Sequence, residues 1–108
     1  MMRISLVAAL LLSASAAFGQ TSLATVTGTI TDSTGAVVAN APVSLKNVEN
    51  GQVYTAASSD SGNYTVTQLP IGDYSLTVTS SGFKTYSHTN FHLAAGQTMR
   101  EDVALEVG

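Results

Sequence analysis

Ser59-Asp-Ser-Gly-Asn-Tyr-Thr-Val-Thr-Gln-Leu-Pro-Ile-Gly-Asp-Tyr-Ser-Leu-Thr-Val-Thr-Ser-Ser-Gly-Phe83 is the stretch whose reading decides the fold. Within it, Tyr64 to Thr67 and Tyr74 to Val78 each alternate apolar with small polar residues, the period-2 pattern of a strand buried on one face. Asp60-Ser-Gly62 precedes the pair, Leu69-Pro-Ile-Gly72 separates it and Ser80-Ser-Gly82 follows. Glycine supplies positive φ without steric cost, and proline pre-sets the first corner of a turn. These signals predict a hairpin with a short loop, with Tyr64 and Tyr74 both on the inner face.

Upstream, Leu23 to Thr31 reads as a first strand, with Ala24, Val26, Gly28 and Ile30 on one face and threonines on the other. Gly28 removes a side chain in mid-strand, which permits a bulge or a close neighbour. Asp32-Ser-Thr-Gly35 is a turn in which the carboxylate can bond forward to the backbone. Ala36 to Asn40 follows as an arm whose Val37 and Val38 cover a sandwich edge. The second strand, Ala41 to Asn47, turns Val43 and Leu45 inward and holds Pro42 at its start or on an edge. Asn50-Gly51 is a hairpin signal, and Gln52 to Ser58 is a third strand with either Val53 or Tyr54 inward. Downstream, Phe83 to Phe91 is a sixth strand and Leu93-Ala-Ala-Gly-Gln97 a turn. Thr98 to Val107 is the last strand, with Val103, Leu105 and Val107 inward. Short strands punctuated at regular spacing predict an all-β, seven-stranded Greek-key β-sandwich.

The first residues read differently. Met1-Met-Arg3, an apolar run from Ile4 to Leu12 and a small-residue segment from Ser13 to Gly19 have the layout of a secretory signal peptide. Small residues stand at −3 and −1 before Gln20 (Ala17, Gly19) and before Phe18 (Ser15, Ala17), and the polar segment opening at Gln20 favours the first site. This assigns 1–19 as leader and 20–108 as one domain. The apolar run is short for a membrane span, and no second one follows. The chain of 108 residues has no Cys. That excludes thiolate metal sites and a lipid-modified cysteine, and leaves an exported domain to rely on packing alone. Formal net charge is −3, and loss of the leader leaves Lys46, Lys84 and Arg100 against seven acids. Such a surface repels phosphates, so nucleic acid is not an expected partner.

Gly28-x-Ile30-x-Asp32-x-x-Gly35, Ala41-x-Val43-x-Leu45, Ser59-Asp-Ser-Gly-Asn-Tyr64, Leu69-Pro-x-Gly-x-Tyr74-x-Leu-x-Val78 and Gly82-Phe83 together resemble the carboxypeptidase regulatory-like domain. Gly96-Gln97 and Leu105-Glu-Val-Gly108 resemble its close, so the likeness covers nearly all of residues 20–108. Cna B-type domains and starch-binding-like folds have similar strands. The resemblance implies a transthyretin (prealbumin)-like sandwich without catalytic residues or cofactor, since the label describes a domain that accompanies the enzyme. It further implies a setting behind a signal peptide and ahead of a TonB-dependent outer-membrane receptor of the Oar-like type. The implied partner is a protein or receptor domain at the cell envelope, with the chain exported to the periplasm, the outer membrane or the medium. A carbohydrate-binding module is the alternative.

Candidate chemistry is sparse. His88 and His92 would share a helix face, but along a strand they stand roughly 13 Å apart, at about 3.3 Å per residue. They read as surface residues rather than metal ligands. Asp32, Asp60 and Asp73 all fall in expected turns, where a local hydrogen bond accounts for them better than calcium. Of the four tyrosines, Tyr64 and Tyr74 are assigned to the core. Tyr54 and Tyr86 remain as an exposed pair that a sugar ring could stack against. No Gly-x-Ser-x-Gly elbow or nucleophile–base pair is present. Lys46 with an asparagine is the sole candidate for an intramolecular isopeptide, and nothing marks its acidic partner.

Overall fold

The computed structural model describes residues 22–108, and the expected leader at 1–19 lies outside the described residues. The strands are β1 (Ala24–Asp32), β2 (Pro42–Asn47), β3 (Val53–Ala57), β4 (Asn63–Leu69), β5 (Gly72–Val78), β6 (Tyr86–Leu93), β7 (Thr98–Arg100) and β8 (Val103–Leu105). One sheet is β4-β1 with β7 and β8 both along the far side of β1; the other has the order β3-β2-β5-β6. The two face each other as a transthyretin-like Greek-key β-sandwich. Alternation does the sorting: Ala24, Val26 and Ile30 of β1 are buried while the intervening threonines stay half-exposed. Val43, Leu45, Leu76 and Val78 do the same from the other sheet, and among the described residues all buried apolar side chains come from 24–105. Each fully buried aliphatic side chain contributes roughly 1.5–3 kcal/mol.

The stretch from Ser59 to Phe83 does not form a hairpin. β4 pairs with β1, whereas β5 pairs with β2 and β6, so Pro70-Ile71 carries the chain from one sheet to the other. Tyr64 and Tyr74 are buried on the facing inner surfaces, at 2% and 0% exposure. The corner is prepared by a bulge. Val26 opposes Val66 but Ala24 opposes Leu69, and Gln68 takes the left-handed conformation at φ 59°. The extra residue turns Leu69 back into the core before the chain leaves the sheet.

β6 is bulged in the same way. Leu76 opposes His88 and Tyr74 opposes Phe91, with Asn90 at φ 62°. It begins at Tyr86 and runs to Leu93, so Phe83 falls outside it and makes an isolated bridge to Val107. Val107 is exposed rather than inward: it lies past the end of β8, held by an isolated bridge to Phe83. Asp73 lies in β5 opposite His92, not in a turn. Asp32 does open its turn, accepting hydrogen bonds from the backbone amides of Thr34 (2.9 Å) and Ala36 (3.1 Å) and from the Thr34 hydroxyl (2.6 Å). β2 and β3 form the hairpin expected at Asn50-Gly51, with Tyr54 the inward residue and Val53 half-exposed. Of the arm, Val38 packs on the core and Val37 stays exposed.

The last strand is two pieces. β7 and β8 run parallel to β1 in one register, Thr27 opposite Arg100 and Ile30 opposite Val103, so no residue is inserted between them. The ladder is broken at Glu101-Asp102 because the Glu101 carbonyl turns in over Gly28. A β-carbon on Gly28 would stand only 1.8 Å from that oxygen. The close neighbour permitted by this glycine is therefore a peptide group of the next strand.

Candidate functional site

A cluster of polar side chains converges around that break. Tyr64 stands opposite Gly28 on β4. Its ring crosses the bare glycine, and its hydroxyl donates to the Glu101 carbonyl at 2.6 Å. Burial holds the Tyr64 phenol well above its ordinary pKa, with the nearby charges of Glu101 and Asp102 adding to the effect. The Glu101 amide donates to Thr27 O at 2.8 Å. The Thr29 amide, left without a backbone partner by the break, donates to Asp102 Oδ1 at 3.0 Å, and the Thr29 hydroxyl joins it at 3.1 Å. These hydrogen bonds hold the Asp102 carboxyl below its usual range, the Thr29 amide contributing most.

The Glu101 side chain crosses to the other sheet. Its carboxylate accepts from the Tyr86 hydroxyl at 3.0 Å and lies 2.7 and 2.9 Å from His88 Nδ1. With both oxygens so near, Nδ1 is the protonated ring nitrogen. Burial, then the bond and charge of Glu101, raises the Tyr86 pKa. Glu101 was not singled out by sequence reasoning. Its signal is faint: Arg100-Glu-Asp102 interrupts the alternation of the last strand.

The residues picked out from the sequence do not assemble into one site. Tyr54 and Tyr86 are both half-buried against the core rather than exposed, and they lie on the opposite edge strands of one four-stranded sheet. Three strand spacings of about 4.8 Å separate them, so they form no common stacking platform. Tyr54 packs instead against Tyr74, ring centroids 6.2 Å apart. His88 and His92 face different acids, His92 Nδ1 lying 2.8 Å from Asp73. Among the described residues no group of three or more His, Asp or Glu is placed to hold a metal, and no helix is long and apolar enough to cross a membrane. Lys46 is an exposed residue of β2. A shallow groove between β6 and β8 is lined by Lys84, Tyr86, Ser87, Leu105 and Glu106.

A β-sandwich whose converging polar groups bond its own strands together is a structural scaffold. Comparison with known proteins places it further. Residues 25–106 match the carboxypeptidase regulatory-like domain, and the chain belongs to that family of non-catalytic regulatory domains. The chain is 37% identical over 106 aligned positions to the TonB-dependent transporter Oar of Myxococcus xanthus, covering 92% of this chain and 9% of the transporter. Among solved structures it is similar to the Bacillus anthracis TIE protein (TM-score 0.63, 20% identity, 80% of this chain, 17% of that one). It is similar also to catechol 1,2-dioxygenase of Acinetobacter radioresistens (TM-score 0.64, 12% identity, 82% of this chain, 53% of that one). At these identities the two structures bear on the fold alone.

Proposed function

We propose that this chain is the N-terminal accessory domain of a TonB-dependent outer-membrane receptor, with residues 1–19 as export leader and 20–108 as the sandwich. The observation that carries the reading is the similarity to the Oar transporter, which runs over 92% of this chain. The domain has no chemistry to perform. It supplies a rigid body at the envelope whose free surfaces, loops or strand edges, receive a protein partner. The Glu101 interactions support a rigid body, since they add a side-chain join between the two sheets beyond the chain crossings.

Antibody raised against residues 20–108 and used on fractionated source cells tests this. The expected result is a receptor-sized band in the outer membrane. A small soluble band in the periplasm or medium overturns the receptor setting. N-terminal sequencing of that band reads the leader boundary directly, with Gln20 expected first.

A further inference from the structure

The two sheets have four edges, and three carry devices that discourage a new neighbour. β4 is bulged at Gln68, and β6 is bulged at Asn90 and bears both histidines. The β7–β8 edge is broken at Glu101-Asp102 and bears Arg100 beside them. β3 has none of these. Val53-Tyr-Thr-Ala-Ala57 is unbulged and contains no charge and no proline. Its backbone parity follows from the bonds at its ends. Asn47 N donates to Gln52 O at 2.8 Å and Ser58 N to Ala41 O at 3.1 Å, so the even-numbered residues turn toward β2. Antiparallel alternation then points the N–H and C=O groups of Val53, Thr55 and Ala57 outward.

We propose that β3 pairs with β3 of a second copy of this chain, antiparallel, about a two-fold axis at Thr55. In that register Thr55 opposes Thr55 and Val53 opposes Ala57, so every outward group of the three residues gains a partner. The two four-stranded sheets become one sheet of eight strands. The side chains suit a self-pairing. On the inner face Tyr54 meets Ala56, a large residue against a small one. On the outer face the half-exposed Val53 meets Ala57, and the two Thr55 hydroxyls meet each other. No charge meets its own copy across the axis. This self-complementarity selects a second copy over a foreign strand, and it is independent of the receptor setting.

Five residues a side is a small interface, so the dimer forms with rising concentration rather than permanently. Residues 22–108 enclose their own core and can be studied alone. Sedimentation equilibrium is expected to show a monomer–dimer equilibrium. Thr55→Lys and Thr55→Glu each set like charges opposite one another and are expected to weaken dimerisation at least about ten-fold. An equimolar mixture of the two variants is expected to restore it as a heterodimer, which a merely structural effect on β3 would not do. The Thr55 side chain is exposed, so both variants should keep the parent's melting temperature within a few degrees. A parent that stays monomeric up to about 1 mM overturns the proposal. So does a dimer indifferent to Thr55→Lys, or a variant mixture that fails to pair.

Discussion

Along one long side of the sandwich, where β3 and β4 lie, the chain itself crosses between the sheets through Ser58 and Ser59. Along the other, where β6 faces β7 and β8, the chain crosses once through Ala94 to Gln97, and farther along the Glu101 side chain joins the sheets between residues distant in sequence. Each side has a buried or nearly buried polar residue that fastens it. Ser58 is 2% exposed; its hydroxyl donates to Val38 O at 2.6 Å and accepts from Ala41 N at 2.9 Å. Its backbone accepts from Asn40 N at 2.9 Å and donates to Ala41 O, so it ties the arm to the crossing. On the opposite side Glu101 gives its backbone to its own sheet and its side chain to the other. Both sides are crossed by the chain, but the first keeps one open strand edge, whereas the second is also keyed by Glu101 and has its edges blunted.

The keyed side is expected to break most easily. Gly28→Ala places a β-carbon on the Glu101 carbonyl and also against the Tyr64 ring, 3.0 Å away. Neither neighbour is a flexible side-chain tip, so the strand pair must part. A loss of about 3–5 kcal/mol is expected in urea unfolding, and a loss below about 1 kcal/mol would mean that the carbonyl can swing aside freely. Ser58→Ala tests the other side. It leaves the Val38 carbonyl and the Ala41 amide without their shared partner, and a loss of about 2 kcal/mol is expected. Ser58→Thr, which keeps the hydroxyl, is expected to recover part of that loss. Equal losses in the two variants would assign the effect to packing rather than to the hydrogen bonds.

Much of this architecture was legible in advance, and the errors have physical causes. Alternation placed Tyr64 and Tyr74 inward and located the strands, reading β7 and β8 as one, because a pleated backbone with one wet face imposes that period on the sequence. Turn residues marked Leu69 to Gly72 correctly as a reversal, yet the same residues serve a hairpin and a corner between sheets. Pairing is decided by which surface Val66 and Leu76 bury against, a long-range matter. One local sign was available: Val66 and Leu69 are three apart, a spacing that a regular strand cannot put on one face. The Glu101 interactions left almost no trace. They join residues 13 to 37 positions apart through a single carboxylate and a single carbonyl, and no period encodes that. Gly28 and the charged interruption at Arg100-Glu-Asp102 hinted at it.

Smaller effects separate the parts of the keyed side. Glu101→Ala removes the acceptor of Tyr86 and His88 while leaving the backbone bond to Tyr64 in place. A cost of about 1 kcal/mol is expected, since the His88 side chain is 44% exposed and solvent screens the pair. In a double-mutant cycle with Tyr86→Phe, the two losses are expected to overlap by about half a kcal/mol or more. Strict additivity would show that the hydroxyl and the carboxylate act independently, leaving His88 to carry the carboxylate's part in the join between sheets.

The smallest difference between the two sides is expected in acid. Asp102 and Asp32 both have carboxyl groups held below the usual value of 3.8, Asp102 mainly by the Thr29 amide and Asp32 mainly by the Thr34 hydroxyl. A folded pKa below the unfolded one adds stability that is complete above the unfolded value and lost as pH falls through the folded value. Unfolding midpoints should therefore hold steady at neutral pH and decline below about pH 4. Asp102→Asn keeps an oxygen for Thr29 but cannot titrate, so its midpoint should start lower and fall less steeply than the parent's. Asp32→Asn should do the same at its own turn, away from the break between β7 and β8. If Asp102→Asn leaves the acid slope unchanged while Asp32→Asn flattens it, the broken ladder draws nothing from the charge on Asp102. Gly28, Tyr64 and Glu101 would then hold that side without it.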